Sequence, residues 1–359
     1  MSRVDGPVDP AQWLTIPEIV RAARTRMSPH AWDFGSGGAE TEVTVRRNRA
    51  ALEHWALRPR VLRDVSERDT STTFLGVPLA LPVLLAPIGS VDVFDPEGAL
   101  AQARAAEQAG TAAVVGVMST PSFDVLAQRS AAPLFLQVYP SADRAWLTDV
   151  VQRAQEHGCR GLCLTVDAAV YGRRERDITN RFSTANRAVS DPGGSSPAAR
   201  RSGATWADVE WLRSATGLPL LVKGITHPAD ARSAVEHGAD VVYVSNHGGR
   251  QLDHMLAAVD VLPDVVQAVD GRADVVVDGG FTRGADVLKA LCLGARAVLV
   301  GKLAAWALGA GGSAGLARAL ELLRTEMSTA MGTLGVTRVD DLTAEYVTHS
   351  FAPPRSLEE

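Results

Sequence analysis

Nine consecutive residues, Ser245-Asn246-His247-Gly248-Gly249-Arg250-Gln251-Leu252-Asp253, bring an imidazole, two glycines and a guanidinium together directly after the apolar run Val241-Val242-Tyr243-Val244. That run reads as a buried β-strand. The polar residues therefore lie just past its carboxyl end, where open α/β sheets and β/α barrels carry their chemistry. Alone, the stretch has a plainer reading: a polar turn whose glycines supply positive φ and whose histidine is solvated. Other apolar runs, however, end in the same way: Gln137 and Tyr139, Thr165 and Asp167, Lys223, Asp278-Gly279-Gly280, and Gly301-Lys302. The two glycine-rich ends suit a phosphate group. Gly279-Gly280 lets backbone approach closely, and Arg283 and Lys302 add positive charge near a helix start whose N–H groups favour anions. A phosphorylated cofactor or substrate is expected there, although a phosphate-binding isomerase or synthase would show the same feature.

The elements that must gather these ends recur along the chain. Apolar runs at 81–86, 111–116, 134–139, 161–167, 220–224, 241–246, 274–279 and 297–301 read as parallel strands. Ala-rich amphipathic stretches at 98–110, 145–158, 229–238 and 283–294 lie between them. Most starts recur roughly every 20 to 35 residues, the repeat of β/α units. Eight such strands predict an α/β fold, a (β/α)8 TIM barrel. A doubly wound open sheet uses the same units, but no Gly-x-Gly-x-x-Gly turn follows the first strand, which favours the barrel. All strand ends then face one mouth, where the first strand adds Pro87, Ile88 and Gly89 and the second Gly116.

A single domain is expected over 1–359, with 1–80 packing on the barrel as an N-terminal segment, 81–310 forming the barrel, and 311–359 supplying C-terminal helices and a tail. Thr15-Ile16-Pro17-Glu18 reads as a helix start. A second short helix holds Trp32 and Phe34 and is broken by Gly35-Ser36-Gly37-Gly38, and 58–80 reads as extended segments and turns. Between strands four and five, 168–219 runs long and includes Ser190-Asp191-Pro192-Gly193-Gly194-Ser195-Ser196-Pro197. That composition cannot build a core and reads as a mobile loop, either a lid over the mouth or filler.

Composition narrows the function classes. Of the 359 residues 46% are apolar and 21% charged, the balance of a soluble globular protein. The net charge of −5 and the absence of a basic tract argue against nucleic acid. Cys159, Cys163 and Cys292 are odd in number and sit in or beside apolar runs, which suggests buried, reduced thiols in a cytoplasmic protein with no disulfide framework or metal spacing. No membrane anchor is encoded: there is no signal-like start and no apolar run near the ~20 residues that span a bilayer.

The nine-residue stretch resembles the signature of the FMN-dependent 2-hydroxy acid oxidases and dehydrogenases, which include glycolate oxidase, lactate oxidase, lactate monooxygenase and mandelate dehydrogenase. Similarity runs from about residue 15 to 345 and takes in Leu164-Thr165-Val166-Asp167, Gly172-Arg173-Arg174-Glu175-Arg176-Asp177, Leu221-Val222-Lys223-Gly224 and Asp278-Gly279-Gly280. The resemblance implies FMN as cofactor and an (S)-2-hydroxy acid as substrate. It casts His247 as general base and Asp167 as the carboxylate that stabilises its imidazolium. Arg174 and Arg250 would clamp the substrate carboxylate, with Tyr139 hydrogen-bonding the reacting oxygen or the carboxylate. Lys223 would sit near flavin N1–C2=O. Gln137, Thr165 and the backbone around Pro87, Ile88 and Gly89 would hold the isoalloxazine, with Gly116, Ser245, Asp278, Gly279, Gly280, Arg283, Gly301 and Lys302 completing the cofactor site. A homotetramer is common in the resembled family.

Departures from the family pattern qualify this picture. Trp32 stands where a substrate tyrosine is usual, and an indole donates one hydrogen bond without matching a phenol's placement. Gly116 replaces a serine, Thr282 an arginine, and Lys302 the arginine of a Gly-Arg pair. Gly89 leaves room beside flavin N5, which bears on oxygen access. Met118 replaces an aromatic residue found in some members, and its flexible thioether suits a bulkier, apolar substrate side chain. The expected reaction is thus oxidation of a larger 2-hydroxy acid, with oxygen or another electron acceptor. The alternatives are a relative that oxidises a different scaffold, such as a modified peptide or biosynthetic intermediate, and a non-catalytic FMN-binding barrel.

Overall fold

A computed structural model describes residues 9–140, 143–183 and 202–350. The expected loop at 190–197 lies outside these residues. Eight parallel strands close into a barrel, numbered here β1 (Val83–Leu85), β2 (Ala113–Gly116), β3 (Leu134–Val138), β4 (Leu162–Thr165), β5 (Leu220–Ile225), β6 (Val241–Val244), β7 (Asp274–Val277) and β8 (Ala297–Val300). Each pairs with the next in sequence, and β8 closes on β1 with Val298 opposite Val83. The eight apolar runs are these eight strands. The helices Ala99–Ala109, Arg144–Glu156, Pro228–Glu236 and Gly284–Cys292 fall on the Ala-rich stretches.

Strand periodicity explains how an apolar barrel acquires a polar mouth. Alternate residues point inward. Leu84, Val114, Phe135, Cys163, Leu221, Tyr243, Val276 and Leu299 pack together as an interior cluster. Two residues further along β3, β4, β5 and β7, the same inward parity yields Gln137, Thr165, Lys223 and Asp278, all buried. The register sets Thr165 opposite Lys223, and Lys223 opposite Tyr243, so these groups form one layer. At the other end the hairpin of Thr72–Phe74 and Val77–Leu79 plugs the barrel, with the Phe74 and Phe135 rings 5.8 Å apart.

Three N-terminal helices fold over the barrel. The first, α1 (Ile16–Arg26), starts at Thr15 with a reciprocal cap from Glu18 and packs on the long helix Lys302–Leu334. That long helix kinks at Gly311-Gly312, where φ/ψ leave the helical region. The second, α2 (Pro29–Ser36), is capped by Ser28; it runs through Gly35-Ser36 and stops at Gly37, later than the glycine-rich run implies. The third, α3 (Val43–His54), begins beside the signature loop. Asp253, the last signature residue, accepts from Val43 N at 3.1 Å, Thr44 N at 2.8 Å and Thr41 Oγ1 at 3.1 Å, so it caps α3 from across the chain. All three cysteines are free and buried, and burial pushes the Cys159 thiol up to about 11 and those of Cys163 and Cys292 to about 12. No helix among the described residues is long and apolar enough to cross a membrane.

Candidate active site

After β6 the chain turns sharply. His247 sits at φ 56°, with Gly248 at 61° and Gly249 at 75°, three successive residues in the left-handed region. For a histidine this conformation is uncommon and is held only where surroundings enforce it. The surroundings are explicit. The peptide N–H of His247 donates to Ser245 Oγ at 3.0 Å, and Asn246 exchanges side-chain bonds of 2.8 and 2.9 Å with Asn48 of α3. A Cβ on Gly249 would stand 2.8 Å from Val45 N, so only glycine lets α3 approach this turn.

The turn aims the imidazole across the mouth. His247 Nδ1 lies 2.9 Å from Asp167 Oδ1, just beyond β4. The other ring nitrogen is left for chemistry, and 22% of the His247 side chain remains accessible. Loss of hydration holds the imidazole pKa below its ordinary value; Asp167 pulls it up, and the Lys223 charge opposes that. Asp167 itself is penalised by burial, yet the charges of His247 and Lys223 carry its carboxyl below the usual range. The lowered imidazole pKa favours a neutral ring that donates Nδ1–H to the carboxylate, with Nε2 outside that bond. Gly224, at φ 112°, makes the approach possible, because a Cβ there would meet the Asp167 Cβ at 2.6 Å.

Lys223 lies below the pair, bonding Ser245 Oγ at 2.9 Å and standing 3.7 Å from Asp278 Oδ2. Burial lowers the ammonium pKa, but Asp278 and Asp167 together raise it above the ordinary value, so the lysine is charged. Tyr243 donates its hydroxyl to Asp278 Oδ2 at 2.9 Å. Among the described residues, Asp278 Oδ1 and Asp167 Oδ2 are buried acceptors without a hydrogen-bond partner. Buried acceptors are rarely left so. Facing a barrel mouth, they fit a ligand rich in hydroxyl and N–H donors, and FMN's ribityl chain and ring N–H supply both. Around them lie half-buried Pro87 and Ile88, Gly89, beside whose Cβ position no atom lies within 4 Å, and Gln137 and Thr165. The gap left at Gly116 is approached by Ser119, whose Oγ lies 3.4 Å from where a Cβ would stand, a hydroxyl that sequence spacing alone did not single out.

Two guanidiniums, those of Arg250 and Arg174, lie close together beside the signature turn. Arg250 donates to Phe34 O and to Gly37 O, the latter at 3.0 Å, and lies 5.0 Å over the Phe34 ring. Burial, then the charge of Arg174, press its pKa down to about 9. Arg174 lies 4.2 Å over the Tyr171 ring and donates Nε–H to Arg250 O at 3.3 Å. The charged run around them divides by function. Arg173 pairs with exposed Glu175, and Arg176 pairs with Asp33 and Glu42 of the N-terminal segment. Tyr139 is half-buried just past β3, close enough to Lys223 for its phenol to act on the ammonium.

Other expected site residues are placed differently. Arg283 pairs with Glu326 at 2.8 Å and is half-exposed, so its guanidinium is engaged by the long helix. The N–H groups of Thr282 and Arg283 are likewise taken by Asp286, which also pairs with Arg49. Arg49 donates to Gly280 O at 3.2 Å and Thr282 Oγ1 at 3.0 Å, tying α3 to the Gly279-Gly280 loop. Neither Asn48 nor Arg49 carried a local signal in the sequence. Lys302 sends its ammonium to Ser36 O and Gly37 O at 2.9 and 2.6 Å. Trp32 stacks on Trp306 at 6.0 Å under the Arg24 guanidinium, while Met118 is 36% exposed past β2.

Comparison with known proteins identifies the family. Residues 23–349 match the FMN-dependent dehydrogenase family. L-lactate oxidase of Nostoc sp. is 41% identical over 352 residues, covering 92% of this chain and 96% of that protein. 4-Hydroxymandelate oxidase of Amycolatopsis orientalis is 40% identical over 339 residues, covering 90% and 95%. A crystal structure of mandelate oxidase with benzoyl-formic acid superposes with a TM-score of 0.86 at 39% identity, covering 94% of this chain and 98% of that one. With sequence and fold matched almost end to end, the chain belongs to the FMN-dependent dehydrogenase family and is an FMN-dependent enzyme of the 2-hydroxy acid oxidase type.

Proposed function

We propose that the enzyme oxidises an (S)-2-hydroxy acid with a bulky, aromatic or branched side chain to the 2-oxo acid, with oxygen as electron acceptor. The observation that carries this reading is the 2.9 Å contact of His247 with Asp167, set beside Arg174 and Arg250. The guanidiniums hold the substrate carboxylate by paired N–H bonds, which fixes the hydroxyl-bearing carbon over the mouth. Tyr139 hydrogen-bonds the reacting oxygen or the carboxylate. His247 Nε2 takes one substrate proton, and the resulting imidazolium is stabilised by Asp167 through Nδ1–H. Bound FMN supplies the two-electron acceptor that this oxidation requires. Lys223 places positive charge where reduction of the ring adds negative charge.

The cofactor's ring is assigned to Pro87, Ile88, Gly89, Gly116, Gln137 and Thr165, its ribityl chain to Ser245 and Asp278. Its phosphate is assigned to Gly279, Gly280, Gly301 and the peptide N–H of Lys302 at the start of the long helix. Preference for a large side chain is supported by accessible Met118 and by the mandelate and 4-hydroxymandelate oxidases among the relatives. Assignment to the cytoplasm follows the buried free thiols, and assembly as a homotetramer follows the family resemblance; light scattering at four chain masses tests the latter. The test of the reaction is anaerobic flavin reduction across lactate, 2-hydroxyisocaproate and (S)-mandelate. Fastest bleaching by mandelate supports the proposal, and preference for lactate overturns the side-chain assignment.

A further inference from the structure

Arg174 and Arg250 bear like charges at close quarters: after burial, the charge of Arg174 is what most lowers the Arg250 pKa. Like charges at short range repel, so the backbone beneath them has to be fixed before a carboxylate arrives. Arg250 is fixed from α2, where its guanidinium donates to Phe34 O and Gly37 O and lies 5.0 Å over the Phe34 ring. Arg174 stands at the start of a five-residue helix, Glu175–Thr179. A helix of that length is not stable by itself. Its direction has to come from outside.

It comes from the residue before Phe34. Asp33 accepts from Arg176 Nη1 at 3.2 Å on one carboxylate oxygen and from Asn180 Nδ2 at 2.9 Å on the other, so one side chain clasps both ends of the short helix. Arg176 also reaches Glu42 at the start of α3. Just ahead of Arg174, Arg173 O accepts from Glu40 N at 2.7 Å. Just past the helix, the Phe182 ring packs on Phe34 at 5.6 Å and on His30 at 5.9 Å. The same helix carries buried Asp177, whose charge offsets that of Arg174 at Arg250. Its direction therefore sets two of the charges that Arg250 faces. The Asp33 and Arg176 side chains stay 27% and 40% accessible, so water weakens their Coulomb attraction and the two-point geometry carries the hold.

We propose that Asp33 is a positioning residue of the substrate-carboxylate clamp: by clasping Arg176 and Asn180 it sets the direction of the short helix, and with it the Arg174 guanidinium beside Arg250. Adjacent residues of α2 then hold the two halves of the clamp, one through the Asp33 carboxylate and the other through the Phe34 carbonyl. This rests on the clamp assigned to Arg174 and Arg250 above. Charge alone predicts the opposite sign. Removing a carboxylate near two guanidiniums makes the site more positive and would tighten anion binding, whereas losing the clasp weakens it.

The experiment titrates benzoylformate and its neutral amide, benzoylformamide, into FMN holoenzyme and follows flavin absorbance. Wild type is compared with Asp33→Ala, Asp33→Asn, Arg174→Met and the double variant Asp33→Ala/Arg174→Met. Benzoylformate affinity should weaken about 5- to 20-fold in Asp33→Ala. Benzoylformamide affinity and the FMN dissociation constant should change less than about 3-fold, since neither draws on the carboxylate clamp. Asp33→Asn, which keeps one acceptor oxygen, should fall between. In the Arg174→Met background the Asp33→Ala change should cost less than about 2-fold, because its route to the ligand is gone. Where Asp33→Ala does not fold, Asn180→Ala removes one of the two bonds to Asp33 and should weaken benzoylformate about 2- to 5-fold. Unchanged or tighter benzoylformate binding in the variant that folds overturns the proposal, and so does an equal loss with Arg174 present or absent. Parallel loss of benzoylformamide and FMN marks a general packing role and overturns it too. Failure of the clamp itself shows separately, as unchanged benzoylformate affinity in Arg174→Met.

Discussion

His247 is held by two constraints of different kinds, a left-handed backbone and a carboxylate at 2.9 Å. His247→Asn keeps a comparable shape and tolerates positive φ but has no basic nitrogen. Flavin reduction should fall by about 10²- to 10⁴-fold while FMN remains bound, as read by rapid mixing and flavin absorbance. The pH dependence follows from the sign of the shift. A base with its pKa lowered by burial stays unprotonated as pH falls through the usual imidazole range. The acidic limb of kcat/KM for reduction should therefore lie below about pH 6.5. Asp167 raises the imidazole pKa, so Asp167→Asn should move that limb lower still while slowing reduction. A limb at or above the usual histidine value would contradict the assignment of a neutral, desolvated base.

At the scale of elements, the strand ends do the positioning, and small residues decide whether they meet. Gly224→Ala would set a Cβ against Asp167 at a φ of 112°, so loss of activity and of about 1–3 kcal/mol of stability are expected together in denaturant titrations. Asp253→Asn tests the other half of the signature, which caps α3. Burial raises the Asp253 carboxyl pKa, but the N–H groups of Thr44, His254 and Val43 bring it far below the ordinary value. A depressed carboxyl contributes stability above its unfolded pKa and loses it as pH falls through the folded one. Asp253→Asn should cost about 0.5–2 kcal/mol at neutral pH, with the difference shrinking in strong acid. The strand ends were legible because buried parallel strands give continuous apolar runs that stop where polarity begins. What holds the N-terminal helices was not. Arg49 reaches Asp286 across 237 positions, and Arg250 and Lys302 share a backbone carbonyl, which leaves no mark in side-chain spacing. Arg283 has its own unseen partner, Glu326 on the long helix, which local spacing could not reveal.

At the scale of the whole molecule, the barrel interior is packed from hairpin plug to polar layer, so chemistry is confined to one end. The thiols report on this packing. All three are buried with raised pKa values, and a thiol reagent should find no rapidly reacting cysteine in the native enzyme and three after denaturation. A rapidly reacting native thiol would mean that the barrel opens more readily than its packing implies. The α/β rhythm that announced the barrel is likewise a property of the whole chain, since only a closed ring of strands brings Asp167 and His247 together from 80 positions apart.

The most direct test of the central claim is anaerobic rapid-mixing reduction of the FMN holoenzyme and its His247→Asn variant by the 2-hydroxy acid panel, followed by reoxidation with oxygen. The wild-type flavin should bleach within the mixing experiment with at least one acid, fastest with mandelate, and recover its colour on oxygen. The variant should bind FMN and stay oxidised. A variant that bleaches at the wild-type rate would contradict the assignment of His247 as the base.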